Sequence, residues 1–180
     1  GVNSGAAFAV VLLVFLMGNP PLSAYAIVAI IGASISAMLV YALGSMGRSG
    51  TTPLKLTLAG AVFTSFMASF TTALLIRSEE TLDKIRFWTV GSLSGREWSL
   101  FHQTAPYMVI GLIGGVLLAR QITTISLGED IAKGLGQNTI IVKGLSAVVV
   151  VLLAGGAVAL AGPIGFVGLV APHVARIMVG

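Results

Sequence analysis

Residues 25–45, YAIVAIIGASISAMLVYALGS from Tyr25 to Ser45, contain no charged side chain. About 20 residues rising 1.5 Å each cover the roughly 30 Å of a bilayer's hydrocarbon core. Lipid offers no partner to a bare backbone, so a run of this kind predicts a membrane-spanning helix. Before it, Gly18-Asn19-Pro20-Pro21 predicts a turn, because neither proline can donate to a helix ladder. Ala6 to Met17, extended back to Gly1, predicts a first span over 1–17. After it, residues 46–53 form a polar connection with Arg48. A third span over 54–76 follows, with Lys55 placed to snorkel at its entry.

The whole composition agrees with that stretch. Of 180 residues, 56% are hydrophobic and only 9% charged, with a mean hydropathy of +1.02. A soluble domain carries about 25% charged residues, so this chain cannot coat a water-facing surface. Disorder, a secreted disulfide scaffold and an ordinary cytosolic enzyme are excluded as classes. Cysteine is absent from the sequence, which removes thiolate catalysis, cysteine zinc sites and disulfides. The net charge of +4 does not point to nucleic acid, since the basic residues are scattered between apolar blocks. Lipid headgroups account for them. Gly1 and Gly180 both read as cut ends, so the sequence is expected to be a piece of a longer chain.

Two hydrophilic stretches interrupt the apolar runs. Residues 77–97 hold eight of the sixteen charged residues and must lie outside the hydrocarbon. Leu82, Ile85 and Trp88, recurring every third residue, predict a short amphipathic helix there. Gly91-Ser92-Leu93-Ser94-Gly95 predicts a flexible elbow. Spans are expected over 98–119, with Trp98 as interfacial anchor, and over 139–161, separated by the second polar stretch, 120–138. The remaining residues, 164–179 after Gly162-Pro163, are apolar but punctuated by glycine and proline, and predict a broken or re-entrant helix. Basic residues number five on one side (Arg48, Lys55, Arg120, Lys133, Lys143) and four on the other (Arg77, Lys84, Arg86, Arg96), which does not orient the chain.

Catalytic chemistry finds no foothold. His102 and His173 are not spaced as metal ligands on one helix, and Gly91–Gly95 carries Leu93 where a nucleophile elbow needs serine. Lys133 and Lys143 are each followed by glycine and lack a phosphate-binding loop's spacing. Thr57, Ala61, Thr64, Ala68 and Thr71 share one helical face, readable as a packing seam or as the border of a permeation path. Gly111 and Gly115 read as packing. Ser126 and Glu129 match an S-x-x-E capping box ahead of a short helix that Gly134 or Gly136 would stop. Such a helix is either a surface ornament or a handle for a partner protein.

Ser126 to Gly136 resembles the coupling segment of the permease subunits of type II ABC importers, the FecCD and BtuC-like group that takes up iron-siderophores, haem and vitamin B12. Three other stretches resemble that group in the same order. They are Gly1-Val2-Asn3-Ser4-Gly5-Ala6, Phe87-Trp88-Thr89-Val90-Gly91-Ser92-Leu93, and residues 162–176 from Gly162-Pro163 to Arg176. The resemblance implies an all-α polytopic transmembrane bundle in the bacterial inner membrane, about the third to the eighth of ten spans. It implies no cofactor in this chain, with ATP and Mg bound by a partner subunit. The implied partners are a second permease subunit (a homo- or heterodimer), two ATP-binding subunits, an extracytoplasmic substrate-binding protein and membrane lipid, with no nucleic acid.

By the same resemblance, Leu127, Gly128, Glu129, Ala132, Leu135 and Gly136 contact the ATP-binding subunit. Thr57, Ala61, Thr64, Ala68, Phe87, Trp88, Gly91 and Ser92 line or close the path. Gly162, Pro163, Gly165, Gly168, Pro172, His173 and Arg176 mark the broken helix. The function implied is ATP-driven import of an iron-siderophore complex, without enzymatic activity in this chain. Haem or vitamin B12 is the alternative cargo. A secondary transporter would share the broken helix but needs an ion-coupling carboxylate inside a span, which the sequence lacks.

Overall fold

A computed structural model describes residues 1–46, 52–89, 98–165 and 167–179. All elements among them are α-helices: α1 (Val2–Met17), α2 (Leu22–Ser45), α3 (Pro53–Arg77), α4 (Glu79–Thr89), α5 (Trp98–Ser126), α6 (Glu129–Gly134), α7 (Thr139–Ala161) and α8 (Val167–Val179). Four of them, α2, α3, α5 and α7, are long and apolar enough to cross a membrane. Their outward faces carry Leu58, Val62 and Phe66 on α3 and Val109, Ile113, Val116 and Leu117 on α5, all exposed. An apolar surface of that extent suits lipid, not water.

The first helix, Val2–Met17, is the hub of the bundle, packed against α2, α3, α4 and α7. Ala6, Ala7, Val10, Val11 and Val14 fall on adjacent stripes and are all buried. Glycine permits this crowding. A Cβ on Gly32 would stand 2.7 Å from the Gly5 carbonyl oxygen, and one on Gly155 would stand 3.0 Å from the Ile30 Cα. Ser36, buried at the same crossing, donates to the Gly32 carbonyl at 2.6 Å, so no polar group is left bare there.

On the other flank α5 packs along α7. A Cβ on Gly111 would press on Leu153 at 2.9 Å and one on Gly114 on Val149 at 2.9 Å, whereas Gly115 has ordinary room. The tight seam therefore uses Gly111 and Gly114, not the expected pair Gly111 and Gly115. Helix α5 also runs to Ser126, past the expected end at Ala119. Polar residues do not stop a helix when they satisfy it. Thr123 and Thr124 return their hydroxyls to the Ala119 and Arg120 carbonyls at 2.9 and 3.0 Å.

Thr52 caps α3 by accepting from the Lys55 N–H at 3.3 Å, and Pro53 sits at the first helical position. Lys55 reaches back to the Met46 carbonyl at 3.4 Å, keeping its charge at the rim. Gly162, at φ 79°, ends α7 and returns its N–H to the Val158 carbonyl. The break expected across 162–173 is confined to its start: residues 162–165 are non-helical, while Pro172 lies inside α8. The short helices α4 and α6 sit at opposite ends of α7. Its 23 residues separate them by about 34 Å.

Candidate functional site

Helix α6 hangs from the end of the bundle on two glycine turns. Leu127 and Gly128 close the end of α5 through N–H bonds to Thr124 and Ile125. Gly128 then turns at φ 132°, a conformation closed to a side chain. Gly136, at φ 80°, ends the helix with its N–H on the Lys133 carbonyl, and Gln137 N–H bonds back to Ala132. Gln137 also donates its amide to the Gln121 carbonyl at 3.0 Å, and Asn138 caps α7 through the Ile141 N–H at 3.2 Å. The whole six-residue helix is thus fixed at both ends despite being too short to hold itself.

Its two faces differ sharply. Ala132 is fully buried and seats the helix on the bundle. Leu127, Ile131 and Leu135, four residues apart, point away and are 67%, 53% and 72% exposed. Three large apolar side chains in a row on a polar connection form a stripe with no cover from the chain itself.

Glu129 does not form the expected capping box. The N-cap is Gly128, which has no side chain to offer, and Ser126 donates instead to the Thr123 carbonyl at 2.7 Å. The Glu129 carboxylate is taken by three other groups. Lys143 meets Oε2 at 2.5 Å, the Thr139 hydroxyl donates to Oε1 at 3.1 Å, and Lys133 stands 3.4 Å from Oε1. The Lys143 bond, followed by those of Thr139 and Lys133, pulls its pKa from 4.5 down to about 2. Since the folded value is depressed, the clamp between α6 and α7 is complete above the ordinary carboxylate range. It is lost as pH falls from 4.5 towards 2. A spin label at Leu135 should therefore gain mobility across that window, whereas Glu129→Gln should leave the label equally mobile at pH 6 and pH 3. A wild-type label indifferent to pH across that window would contradict the clamp.

At the opposite end, Ser78 caps α4 by accepting from the Thr81 N–H at 3.1 Å. The buried face of α4 is Thr81, Ile85 and Trp88, while Leu82 is exposed. The true spacing is four and three, as a helix requires, not three and three. Trp88 is only 4% exposed and its indole N–H points at the Ala159 carbonyl of α7, 3.4 Å away. It anchors α4 inward on the end of α7. Lys84 pairs with Glu80 at 2.5 Å and reaches the Gly18 carbonyl at 3.3 Å, tying α4 to the end of α1. Arg86 pairs with Asp83 at 3.5 Å.

Thr57, Ala61, Thr64 and Ala68 form an uncovered face of α3. Thr64 gives its hydroxyl to the Gly60 carbonyl at 2.7 Å, and neighbouring Ser65 and Ser69 bond to Ala61 and Ser65 at 3.2 and 3.0 Å. The face is thus hydroxylated yet internally satisfied, a surface that can be wetted without gripping a solute. Phe87 lies within α4, its side chain outside the described residues, as are Gly91 and Ser92 altogether. Gly162 is buried and Pro163 partly so, whereas Gly165, Pro172, His173 and Arg176 are exposed and Gly168 lies within α8.

The structure adds two residues that the sequence pattern does not single out, one at each end of α7. Ile131 completes the exposed stripe, and its spacing from Leu127 and Leu135 was the available signal. Ala132, expected to touch a partner, is packed beneath α6 and meets none through its methyl. Ala159 matters through a backbone carbonyl, which no side-chain pattern announces.

The profile of the FecCD transport family matches residues 1–180. The chain is 43% identical over its full length to the "Probable siderophore transport system permease protein YfiZ" of Bacillus subtilis (strain 168), covering 54% of that protein. It is 42% identical to the "Iron(3+)-hydroxamate import system permease protein FhuB" of the same organism, covering 47% of it. It is 34% identical to the "Ferric enterobactin transport system permease protein FepD" of Escherichia coli (strain K12), covering 54%. The chain thus spans about half the length of the curated relatives it matches. A solved structure described as "An inward-facing conformation of a putative metal-chelate type ABC transporter" superposes on the whole chain and 57% of its own, with a TM-score of 0.80 and 28% identity.

Proposed function

Because the chain belongs to the FecCD transport family, we propose that it serves in the transmembrane permease subunit of an ATP-driven importer for an iron-siderophore complex. It is a multi-pass protein of the bacterial inner membrane, as the family and the four apolar helices indicate. The observation that carries the proposal is the apolar stripe of Leu127, Ile131 and Leu135, exposed on and immediately beside the short helix α6 that Glu129 clamps to α7. A bare apolar row on a rigid mount suits docking of a soluble subunit. Gly128 and Gly136 shape the mount at its ends. Iron-siderophore cargo is favoured over haem or vitamin B12 by the named cargo of the relatives.

In this reading ATP and Mg bind two partner subunits on the cytoplasmic side, and α4 lies on the outer side near the extracytoplasmic binding protein. A second permease copy or homologue faces the α3 surface of Thr57, Ala61, Thr64 and Ala68. Closure of the partner subunits on ATP displaces α6. The Glu129 clamp passes that displacement to α7, which carries it about 34 Å to α4. A bistable element biased by nucleotide is what alternating access requires. The path itself need not bind tightly, because a site that holds its cargo cannot release it; affinity belongs to the binding protein.

A cysteine at Leu135 in the full-length permease should form a crosslink to a cysteine on the co-assembled ATP-binding subunit. No crosslink from Leu135→Cys or Leu127→Cys in an assembled complex would contradict docking on this face.

A further inference from the structure

We infer that the Gly162-Pro163 end of α7 and Trp88 form one latch, in which the helix terminus leaves the Ala159 carbonyl without a helical partner and the α4 indole takes the vacated position. In an α-helix the carbonyl of residue i accepts from the N–H of residue i+4. For Ala159 that residue is Pro163, which has no N–H. The Gly162 N–H is already engaged with the Val158 carbonyl at 2.8 Å. Ala159 is completely buried, so water does not reach it. A buried carbonyl left unpaired is unfavourable by about the worth of a hydrogen bond.

The same holds from the other side. The Trp88 indole is buried, and its single N–H needs an acceptor that α4 itself does not supply. Two groups with no partner in their own helices meet at 3.4 Å across 71 residues of sequence. Ile85 and Trp88 pack in one apolar cluster with Val158 and Ala159, which fixes the approach. The broken end of α7 thus supplies the acceptor for the α4 indole, beside the packing of α4 on α1 and α3, and a helix continued through residue 163 would abolish the bond.

This latch rests on the proposed importer for its role. Displacement delivered at the Glu129 end of α7 reaches α4 through Trp88, so the latch couples the two ends of the permease. Trp88 acts as a positioning residue.

The test uses the full-length permease assembled with its ATP-binding subunits and binding protein in proteoliposomes. Trp88→Phe keeps a ring and removes the N–H; Pro163→Ala gives residue 163 an N–H that competes for the Ala159 carbonyl. Each should speed amide exchange in residues 79–89 by about two- to tenfold, the range of one neutral hydrogen bond. The double variant should go no further than the larger single effect. Uptake per ATP hydrolysed should fall while hydrolysis persists. Ile85→Val, which trims the same face without touching a donor, controls for packing. Should Pro163→Ala fail to assemble, Trp88→Phe against Ile85→Val decides: exchange raised no more by the first than by the second overturns the latch. In the full cycle, multiplying effects of the two single variants overturn it as well. Exchange is read without transport, so a normal cycle in a complex that imports nothing would count against the proposed function alone.

Discussion

Aspartate at both Ile131 and Leu135 in the full-length permease is expected to weaken its hold on the ATP-binding subunit by about a hundredfold to ten-thousandfold, with loss of uptake to match. Each of these side chains is largely exposed in the chain, and burying one against a partner is worth about 1.5–3 kcal/mol. Two of them therefore carry about 3–6 kcal/mol of docking, at 1.4 kcal/mol per tenfold. Neither substitution touches the Ala132 seat or the Glu129 clamp, so the permease should fold and insert as before. Affinity capture of the ATP-binding subunit at graded concentration measures the effect. Undiminished capture would mean that the stripe faces something else.

Gly32→Leu should damage the permease itself. The first atom of any side chain at Gly32 meets the Gly5 carbonyl at 2.7 Å and the Ala6 Cα at 3.2 Å. These are backbone atoms of α1, which cannot turn aside as a side chain would. Because α1 touches α2, α3, α4 and α7, prising it from α2 loosens the whole arrangement. Overpacking of this kind costs about 3 kcal/mol. Thermal unfolding in detergent should show a pronounced drop in Tm. Gly144→Ala, where nothing lies within 4 Å, should hold or raise it, since alanine is the better helix former by about 1 kcal/mol. Equal melting of the two variants would contradict the glycine crossing.

The parts of the fold legible in the sequence are those written in charge. A run without charged side chains marked α2, a long apolar run with Lys143 near its start marked α7, and Gly162-Pro163 announced the end of α7. Interactions between distant residues were not legible. The S-x-x-E spacing at Ser126 and Glu129 suggested a local cap, but Lys143, fourteen residues on, holds the carboxylate instead. The end of α5 was obscured because Thr123 and Thr124 look like loop residues yet bond within their own helix. The three-residue repeat of Leu82, Ile85 and Trp88 hides which side chains α4 buries, and the Ala159 carbonyl that receives the Trp88 indole belongs to a helix 71 residues on. The hub glycines Gly5, Gly32 and Gly155 lie on three different helices and make no motif in any one of them.

For the candidate site, the segment from Leu127 to Gly136 was visible as a stopped helix between two spans, and the family resemblance supplied its expected role. The division of labour within it was not visible. Whether Ala132 or Ile131 faces outward depends on how α6 sits on α5 and α7, which is set by Gly128 at φ 132°.

In the proposed importer these apolar helices form a passive conduit moved by force applied at α6. The most direct test is uptake of radiolabelled iron-siderophore by proteoliposomes holding the full-length permease and binding protein, with and without the ATP-binding subunits and ATP. Uptake that appears only when both are present is the predicted result; accumulation in vesicles lacking the ATP-binding subunits would contradict it.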